Sequence, residues 1–278
     1  MTTAYDWTGR IGDVWAEEWR RTDRSFTNLT SHLNAAILAA ATSRTCKIID
    51  IGCGAGATTL ALAQALPNAT ITGIDLSPTL IEIARHRGAT RTNASFACAD
   101  ITIAAPHHAP TNLYVSRHGV MFFADPIAAF ATLAEAAAPD AALVFSCFAE
   151  RAANHWATEI VTATGGDGNA PPSTTPGPFA FADPSHVAAI LESSGWHAAP
   201  PRRVDFAYQA GEGTEPVADA VDYFRRIGPA ASAIRDAAPE ERERYIARLT
   251  QVCERHRDGD TVEFPAAAWI WTARKSAN

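Results

Sequence analysis

Residues 47–59, KIIDIGCGAGATT, indicate how this 278-residue chain folds. The β-branched, apolar residues before the glycines are typical of a strand buried on both faces. Gly52, Gly54 and Gly56 then follow two residues apart, where missing side chains permit positive φ and let a ligand approach the backbone. Apolar residues at helical spacing come next. The stretch therefore predicts a strand, a tight turn and a helix whose first N–H groups are free to bind a polar group.

Two further strands end in carboxylates. The segments 70–75, TITGID, and 95–100, SFACAD, read as strands that close with Asp75 and Asp100, while Asp50 ends the first apolar run. Asp75 lies about 20 residues beyond the glycines, the interval expected of an acid that binds a ribose. The glycines follow the pattern GxGxG, which differs from the GxGxxG of nicotinamide sites. Three successive βα units thus place an acid at the edge of the sheet where ligands bind in open α/β folds.

Four motifs carry a resemblance to a known family. They are DIGCGAGATT (50–59), GIDLSP (73–78), ACADI (97–101) and VSRHGVMFFADPIAAF (115–130). Together they resemble the class I S-adenosylmethionine-dependent methyltransferases, most closely the group that methylates small molecules, over residues 46–148 and more weakly beyond. The resemblance implies a Rossmann-like α/β fold with a seven-stranded, mostly parallel sheet. Its last strand is expected to be antiparallel, with helices on both faces and a mostly helical cap.

The resemblance also implies which residues bind S-adenosylmethionine. Asp50 would accept from the methionine ammonium, Asp75 from the ribose hydroxyls and Asp100 from the adenine amino group. Each acid has an alternative role, which is to cap the helix that follows it. The implied cofactor-binding residues are Asp50, Gly52, Gly54, Gly56, Asp75, Leu76, Asp100, Ile101 and Ser116.

Arg117 and His118 at the end of the fourth predicted strand are the candidate catalytic residues. An imidazole can take a proton from a hydroxyl, amine or acid near neutral pH. His118 could instead be a packed, hydrogen-bonded core residue. Arg117 could bind a substrate carboxylate through two parallel hydrogen bonds, or it could pair with a structural acid.

The chain divides into three parts at the level of sequence. Residues 1–30 contain Trp15 and Trp19, four apart and so on one helical face, which predicts either core packing or a lid over the site. Residues 31–150 form the predicted cofactor-binding core. Residues 151–278 complete the sheet and supply a substrate cap, mainly from 151–180 and 214–258.

Composition excludes several classes of protein. The net charge of −7 gives no electrostatic footprint for nucleic acid. The start of the chain lacks a signal pattern, and no apolar run reaches the about 18 residues of a membrane span. Five cysteines without a CxxC pair indicate buried thiols in a reducing compartment. We expect a cytoplasmic monomer or homodimer that binds no membrane.

His155 is a further candidate for the substrate or lid region. Its spacing from Glu159 suits a metal ion, but no third ligand has matching spacing, so no metal is expected. The overall expectation is an enzyme that transfers a methyl group from S-adenosylmethionine to a small organic acceptor, with oxygen favoured over nitrogen or carbon. The alternatives are a non-methyl transferase that uses the same pocket and a non-catalytic regulatory subunit that binds the cofactor.

Overall fold

A computed structural model describes residues 7–41 and 46–276, and within them the chain builds a single mixed sheet. Residues 1–6, which belong to the predicted lid segment, lie outside this description. The strands are β1 Lys47–Ile51, β2 Thr70–Asp75, β3 Ala94–Cys98, β4 Thr111–Arg117, β5 Ala137–Phe148, β6 Trp196–Ala198, β7 Arg202–Glu212, β8 Arg257–Asp258 and β9 Thr261–Lys275.

The sheet follows the predicted plan. Its main path runs β3-β2-β1-β4-β5-β9-β6, in which the first five strands are parallel and β9 is antiparallel to both neighbours. This confirms the expected seven-strand path with an antiparallel last strand. The strand expected over residues 202–208 is present as β7, which pairs with β9 off the main path. The short strands β6 and β8, which both pair with β9, were not expected.

Helices cover the faces of the sheet and one of its edges. The α-helices are α1 Arg10–Glu17, α2 Trp19–Ser25, α3 Thr27–Ala40, α4 Ala57–Ala65, α5 Pro78–Gly88, α6 Ile101–Ala104, α7 Pro126–Ala136, α8 His155–Ala163, α9 Pro184–Ser193, α10 Pro216–Phe224, α11 Ala230–Asp236 and α12 Pro239–Arg255. None of the helices in the described ranges is long and apolar enough to cross a membrane.

Some boundaries differ from the sequence-based expectation. The sequence pattern alone predicts a helix from Ser31, but α3 already begins at Thr27 because Leu29 lies on the same buried face as Leu33 and Ile37. The pattern likewise predicts a fifth strand from Ala142, whereas β5 begins at Ala137, where the chain already pairs with β4 across a bulge. Local propensity misplaced these ends because tertiary pairing and packing decided them.

A long β-ribbon carries the cap. The pairing of β5 with β9 reaches only Ala268, but β7 continues along β9 as far as Thr261. The ribbon therefore projects beyond the carboxyl end of β5. Helix α10 packs on it: the hydroxyls of Tyr208 and Tyr223 lie 3.1 Å apart, and the Phe224 ring stacks edge-on against Phe264.

The N-terminal segment is two short helices instead of one. A break at Glu18 separates α1 from α2. Helix α1 packs on α5, where the Thr79 hydroxyl donates to Asp13 at 2.6 Å. Helix α2 packs on β7 of the ribbon, and Arg24 donates to Asp219 of the cap helix α10 at 2.6 Å. The segment thus spans from the first half of the sheet to the cap.

Candidate active site

The glycine turn after β1 exposes bare backbone. The amides of Gly52 and Cys53 both donate to the carbonyl of Ile74, at 2.8 and 3.1 Å, which ties the turn to β2. Gly52 and Gly54 have φ of 63° and 54°, a region that disfavours residues with a Cβ. A Cβ on Gly54 would meet no atom within 4 Å, so open space lies directly above this residue.

Asp50 is a buried acid with a free acceptor. One carboxylate oxygen accepts from the hydroxyl of Thr59 at 2.6 Å, and the other, Oδ1, is buried without a partner in the described part of the chain. Burial raises the pKa of Asp50 to about 6, although the Thr59 hydrogen bond and the charge of Arg117 oppose the shift. An orphaned buried acceptor is costly, so this position favours a ligand that brings a donor or a positive charge.

Asp75 and Asp100 stand at the ends of the next two strands. The Asp75 carboxylate accepts from the amides of Gly54 at 2.8 Å and Ser77 at 2.9 Å, and burial raises its pKa. Asp100 accepts through Oδ1 from the amide and the hydroxyl of Thr102, at 2.8 and 2.7 Å. Asp100 therefore caps the helix that follows it, and Asp75 braces the glycine turn. Both still line the cavity described next.

One cavity of about 940 Å³ connects these strand tips to the cap. Most of the sequence-predicted cofactor residues line it, namely Asp50, Gly52, Gly54, Asp75, Leu76, Asp100 and Ile101. The open space at Gly54 allows a ligand to lie directly against the backbone, and the free oxygen of Asp50 can accept a hydrogen bond from an ammonium group of that ligand. The residues present are thus compatible with S-adenosylmethionine.

Two predicted cofactor residues do not reach the cavity. The hydroxyl of Ser116 donates to the Ile51 carbonyl at 2.7 Å and accepts from the Gly119 amide at 3.1 Å, so it is fully occupied inside the sheet. Gly56 caps α4 with φ of 85° and packs so tightly that a Cβ would meet the Phe96 ring at 2.9 Å. Both residues shape the turn without facing its open side.

His118 marks the junction between the two ends of the cavity. Its φ of 61° is uncommon for a residue with a side chain, and its amide donates to the Ser146 carbonyl at 3.1 Å. The ring lies between Phe26 and Phe148, with centroids 4.7 and 4.3 Å away. Nδ1 lies 2.9 Å from the Ser146 hydroxyl, while Nε2 is buried without a partner. Burial, reinforced by the charge of Arg117, lowers the pKa of His118 to about 3.

Arg117 pairs with an acid of the N-terminal segment. Its guanidinium donates to Asp23 of α2 at 2.6 Å, and the other oxygen of Asp23 accepts from Arg87 of α5 at 3.0 Å. Arg87 also donates to the Ala55 carbonyl and lies over the Trp19 ring. Asp23 thus links the N-terminal segment to the tip of β4 and to the glycine turn.

Beyond His118 the cavity becomes an aromatic chamber, which we define as Phe26, Phe148, Trp156, Phe179 and Tyr208. Trp156 stacks on Tyr208 at 5.1 Å and on Phe179 at 6.0 Å. These rings come from α2–α3, β5, α8, a loop and β7, so only the fold brings them together.

Arg151 is the cation of this chamber. Its guanidinium lies 4.5 Å from the centre of the Phe179 ring. Within residues 7–41 and 46–276 its side chain makes no ion pair within 4 Å and no hydrogen bond, and burial lowers its pKa although the more distant charge of Asp167 opposes the shift. A partly desolvated cation without a hydrogen-bonded acid favours an anionic group of a ligand.

Of the three predicted substrate or lid residues, two line the cavity and one does not. Trp15 and Trp19 line the cavity, together with Trp7 and Ile11 from the same segment. His155 does not line the cavity. Its ring contacts Glu159, which lies one turn further along the same side of α8, and neither residue lines the cavity. The N-terminal segment therefore covers the strand tips, in the position expected of a lid.

Sequence reasoning missed Asp23, Ser146, Arg151 and the aromatic chamber as a set. No motif surrounds them, and the aromatic residues are spread over more than 180 positions. The one available signal was the unusual number of aromatic residues near the N-terminus.

The order of the strands, the glycine turn and the three strand-end acids define the class. Residues 48–140 match the family model described as a methyltransferase domain. Together with the fold, this places residues 48–140, about a third of the chain, in a methyltransferase domain of the class I S-adenosylmethionine-dependent kind.

Individual relatives agree with this class. A malonyl-[acyl-carrier protein] O-methyltransferase of Acetivibrio thermocellus is 37% identical over 101 residues, which is 36% of this chain and 35% of the relative. A trans-aconitate 2-methyltransferase of Methylobacterium radiotolerans is 38% identical over 68 residues, or 24% of this chain and 25% of the relative. The chain thus aligns with 35% of the length of the first relative and 25% of the second.

Solved structures share the fold across most of the chain. A putative methyltransferase from Bacillus halodurans has a TM-score of 0.57 at 14% identity and covers 89% of this chain and 100% of its own. The [4+2]-cyclase SpnF has a TM-score of 0.53 at 17% identity, with 89% and 81% covered. These likenesses concern the fold alone, since one fold hosts several chemistries.

Proposed function

We propose that this protein transfers a methyl group from S-adenosylmethionine to a carboxylate oxygen of a small organic acid. The observation that carries the proposal is the single cavity that joins the strand tips to the aromatic chamber, with His118 at the junction. When bound, the cofactor supplies an electrophilic methyl group on a sulfonium. Asp50, Asp75 and Asp100, with the bare backbone at Gly54, would hold it at the strand tips.

The state of His118 favours an acceptor that needs no base. With a pKa of about 3 the imidazole is neutral throughout the physiological range, and it is far too weak a base to ionise a hydroxyl. A carboxylate is already ionised and can attack the methyl group directly. His118 then serves as a rigid wall and a hydrogen-bonding contact through Nε2, held by Ser146 and the two flanking rings.

Arg151 supports an acid with a second anionic group. Its guanidinium lies over the ring of Phe179. The ring centroids of Phe179 and Phe148 are 5.8 Å apart, and those of Phe148 and His118 are 4.3 Å apart. The guanidinium is therefore two aromatic rings away from the junction. An acceptor with one carboxylate at His118 and a second anionic group at Arg151 would lay its apolar body along the rings. The two relatives described above are named for methyl transfer to malonyl-[acyl-carrier protein] and to trans-aconitate, both derived from polycarboxylic acids, which supports this class of acceptor.

The N-terminal segment would exclude water from the reacting groups. Trp15 and Trp19 cover the strand tips, and Asp23 fastens α2 to Arg117 and Arg87. Exclusion of water strengthens the electrostatic contacts and prevents side reactions of the methyl donor. In-line transfer further needs the acceptor oxygen held about 3 Å from the methyl carbon of the cofactor, and a closed, rigid chamber favours this geometry.

A screen of organic acids tests the proposal. The protein is incubated with S-adenosylmethionine and a panel of mono-, di- and tricarboxylic acids, alcohols and amines, and products are detected by a mass gain of one methyl group. We expect diacids with an apolar spacer to give product that mild alkali hydrolyses with release of methanol, as only methyl esters do. A product that survives alkali would overturn the carboxylate assignment and indicate ether, N- or C-methylation.

The same screen separates the alternatives. If calorimetry shows that the cofactor binds, and the product carries a part of the cofactor other than its methyl group, the protein is a non-methyl transferase. Binding with no product from any compound, together with activation of another methyltransferase, would indicate a regulatory subunit. Absence of cofactor binding would refute all three.

Arg151→Gln tests the second anionic group. A charge-assisted hydrogen bond contributes about 1.5–3 kcal/mol, so KM for a diacid should rise about tenfold to a hundredfold. KM for the matched half-ester should change little, and Arg151→Lys should restore part of the difference. Arg203→Gln, which removes an exposed arginine paired with Glu150, is the control. Equal effects on diacid and half-ester would refute the role of Arg151.

A further inference from the structure

We propose that His155, Glu159 and His256 form a binding site for a divalent transition-metal ion, with zinc as the best fit. Sequence spacing supplied only the pair His155 and Glu159. The fold adds His256, which is 97 residues away from Glu159 and contacts it at 2.9 Å.

The three side chains converge on one point. The Glu159 oxygen Oε1 lies 3.3 Å from Nδ1 of His155 and 2.9 Å from Nε2 of His256. The three ligand atoms lie within 4.8 Å of one another. Ligands about 2.0–2.1 Å from a tetrahedral zinc ion are themselves about 3.4 Å apart. Small rotations of the side chains would therefore place all three atoms at bonding distance, with a fourth position left for water.

The carboxylate is prepared for this role. His256 and Arg255 both lie within hydrogen-bonding distance of the Glu159 carboxylate and hold it in place. Arg255 donates to Oε2 at 3.0 Å and so leaves Oε1 directed at the two imidazoles. Groups that fix the far oxygen of a ligating carboxylate commonly orient metal ligands.

The site is separate from the chamber but shares a helix with it. Trp156 and Ala157 of α8 line the chamber, while His155 and Glu159 occupy the outer side of the same helix. His256 directly follows α12, and its ring packs on Phe264 of β9 at 4.1 Å. A metal ion here would fasten α8 to the end of α12, and so one wall of the chamber to the cap.

The cluster is accessible to an ion. Half of the His155 side chain is exposed, and Glu159 and Arg255 line a second, open cavity of about 490 Å³. Two imidazoles and one carboxylate suit zinc, cobalt, nickel or copper, and disfavour magnesium and calcium, which prefer oxygen ligands. Among those ions, zinc accepts four-coordinate geometry with three protein ligands without strain.

Cobalt(II) titration tests the site directly. The full-length protein, stripped with a chelator and exchanged into metal-free buffer, is titrated with cobalt(II) while visible absorption is recorded, and zinc is then added in competition. We expect saturation at one equivalent, d–d bands of a four- or five-coordinate ion, and their loss when zinc is added. Elemental analysis of protein purified without chelator is expected to show zinc near stoichiometry.

Variants identify the ligands. Glu159→Gln and His155→Ala should each weaken binding at least tenfold, and zinc should raise the Tm of the wild type but not of these variants. His197→Ala is the matched control, since His197 lies 3.8 Å from Glu192 in a pair without a third ligand. His256→Ala could also loosen packing on Phe264, so the exposed His155 is the more decisive position. Unaltered cofactor affinity in Glu159→Gln would show that the fold persists.

Two results would overturn the site: no cobalt bands in the wild type, or equal cobalt affinity in wild type, Glu159→Gln and His155→Ala. Either result would leave a hydrogen-bonded His-Glu-His cluster. Neither bears on methyl transfer, because the proposed ion touches no residue of the cavity.

Discussion

The two ends of the cavity are built in opposite ways. At the strand tips, the residues that face the ligand come from three short motifs, each directly at or beyond the end of a parallel strand. In the aromatic chamber, the facing residues come from five distant segments, and neighbours in space are not neighbours in sequence. The first end is polar, with the buried carboxylate of Asp50 and the part-buried ones of Asp75 and Asp100. The second is apolar, and the guanidinium of Arg151 has no hydrogen-bonded acid in the described structure.

The difference indicates what each end is adapted to do. A site made of backbone turns and strand ends changes little when the surrounding sequence changes, and so it suits a constant ligand such as a cofactor. A chamber made of side chains from a cap can be rebuilt one residue at a time, and so it suits a variable ligand such as an acceptor. Four predictions test this division of labour.

The largest effect is expected for Asp75→Ala. The substitution removes the acceptor of the Gly54 and Ser77 amides as well as the proposed ribose contacts. Cofactor affinity measured by calorimetry should fall at least tenfold, since about two hydrogen bonds to a charged acceptor are lost. Asp183→Ala is the control because it removes only a helix cap, the bond from the Ser185 amide. Unchanged affinity would refute the ribose role.

The second effect is a pH dependence at Asp50. Its charged form is the one that attracts an ammonium, and its pKa is about 6, so protonation competes with the cofactor below that pH. Affinity should fall by up to about tenfold per pH unit between pH 6 and pH 4. Asp50→Asn should bind more weakly at pH 7 and lose this dependence. A flat profile for the wild type would contradict the assignment of the ammonium to Asp50.

The same raised pKa has a consequence for the ligand-free protein. The folded state binds a proton at Asp50 that the unfolded chain, with a pKa of about 3.9, has already released. The contribution of Asp50 to the free energy of unfolding is therefore fully present below pH 4 and is lost as the pH rises through about 6. Asp50→Asn should remove this contribution, which thermal unfolding at several pH values can check.

The third effect concerns the link between the two ends. Asp23→Asn removes the charge shared by Arg117 and Arg87 and should free α1 and α2. Hydrogen exchange over residues 10–25 should become faster, and cofactor affinity should fall about fivefold for the loss of about 1 kcal/mol. Asp222→Asn, which breaks an exposed pair with Arg225, should change neither quantity. Unchanged exchange in Asp23→Asn would show that packing alone holds the segment.

The smallest effect is expected at His118. Asparagine tolerates the positive φ of this position, so His118→Asn should keep the turn. If the imidazole is a neutral wall, kcat with the true acceptor should stay within about threefold, since no proton-transfer contribution is lost. The wild-type pH profile should show no ionisation of a histidine between pH 5 and 8. A loss of a hundredfold or more would instead make His118 a general base.

The sequence determined the fold class, the segments that form the first three strands and the acids at the ends of those strands. These features follow from local patterns: buried β-branched runs, glycines that permit positive φ, and acids at the point where a parallel strand ends. The prediction was incomplete at the edge of the sheet, where the short strands β6 and β8 pair with β9. It also left open whether Arg117 binds substrate or a structural acid, and the structure pairs it with Asp23.

Tertiary structure alone decided the aromatic chamber, the partner of Arg117 and the meeting of His256 with Glu159. Each depends on contacts between residues far apart in the chain, and sequence spacing carries no information about such distances. Tertiary structure also decided the state of His118, because only burial between Phe26 and Phe148 makes its charged form so unfavourable. The physical reason is the same throughout: backbone geometry is set locally, whereas desolvation and side-chain convergence are properties of the packed molecule.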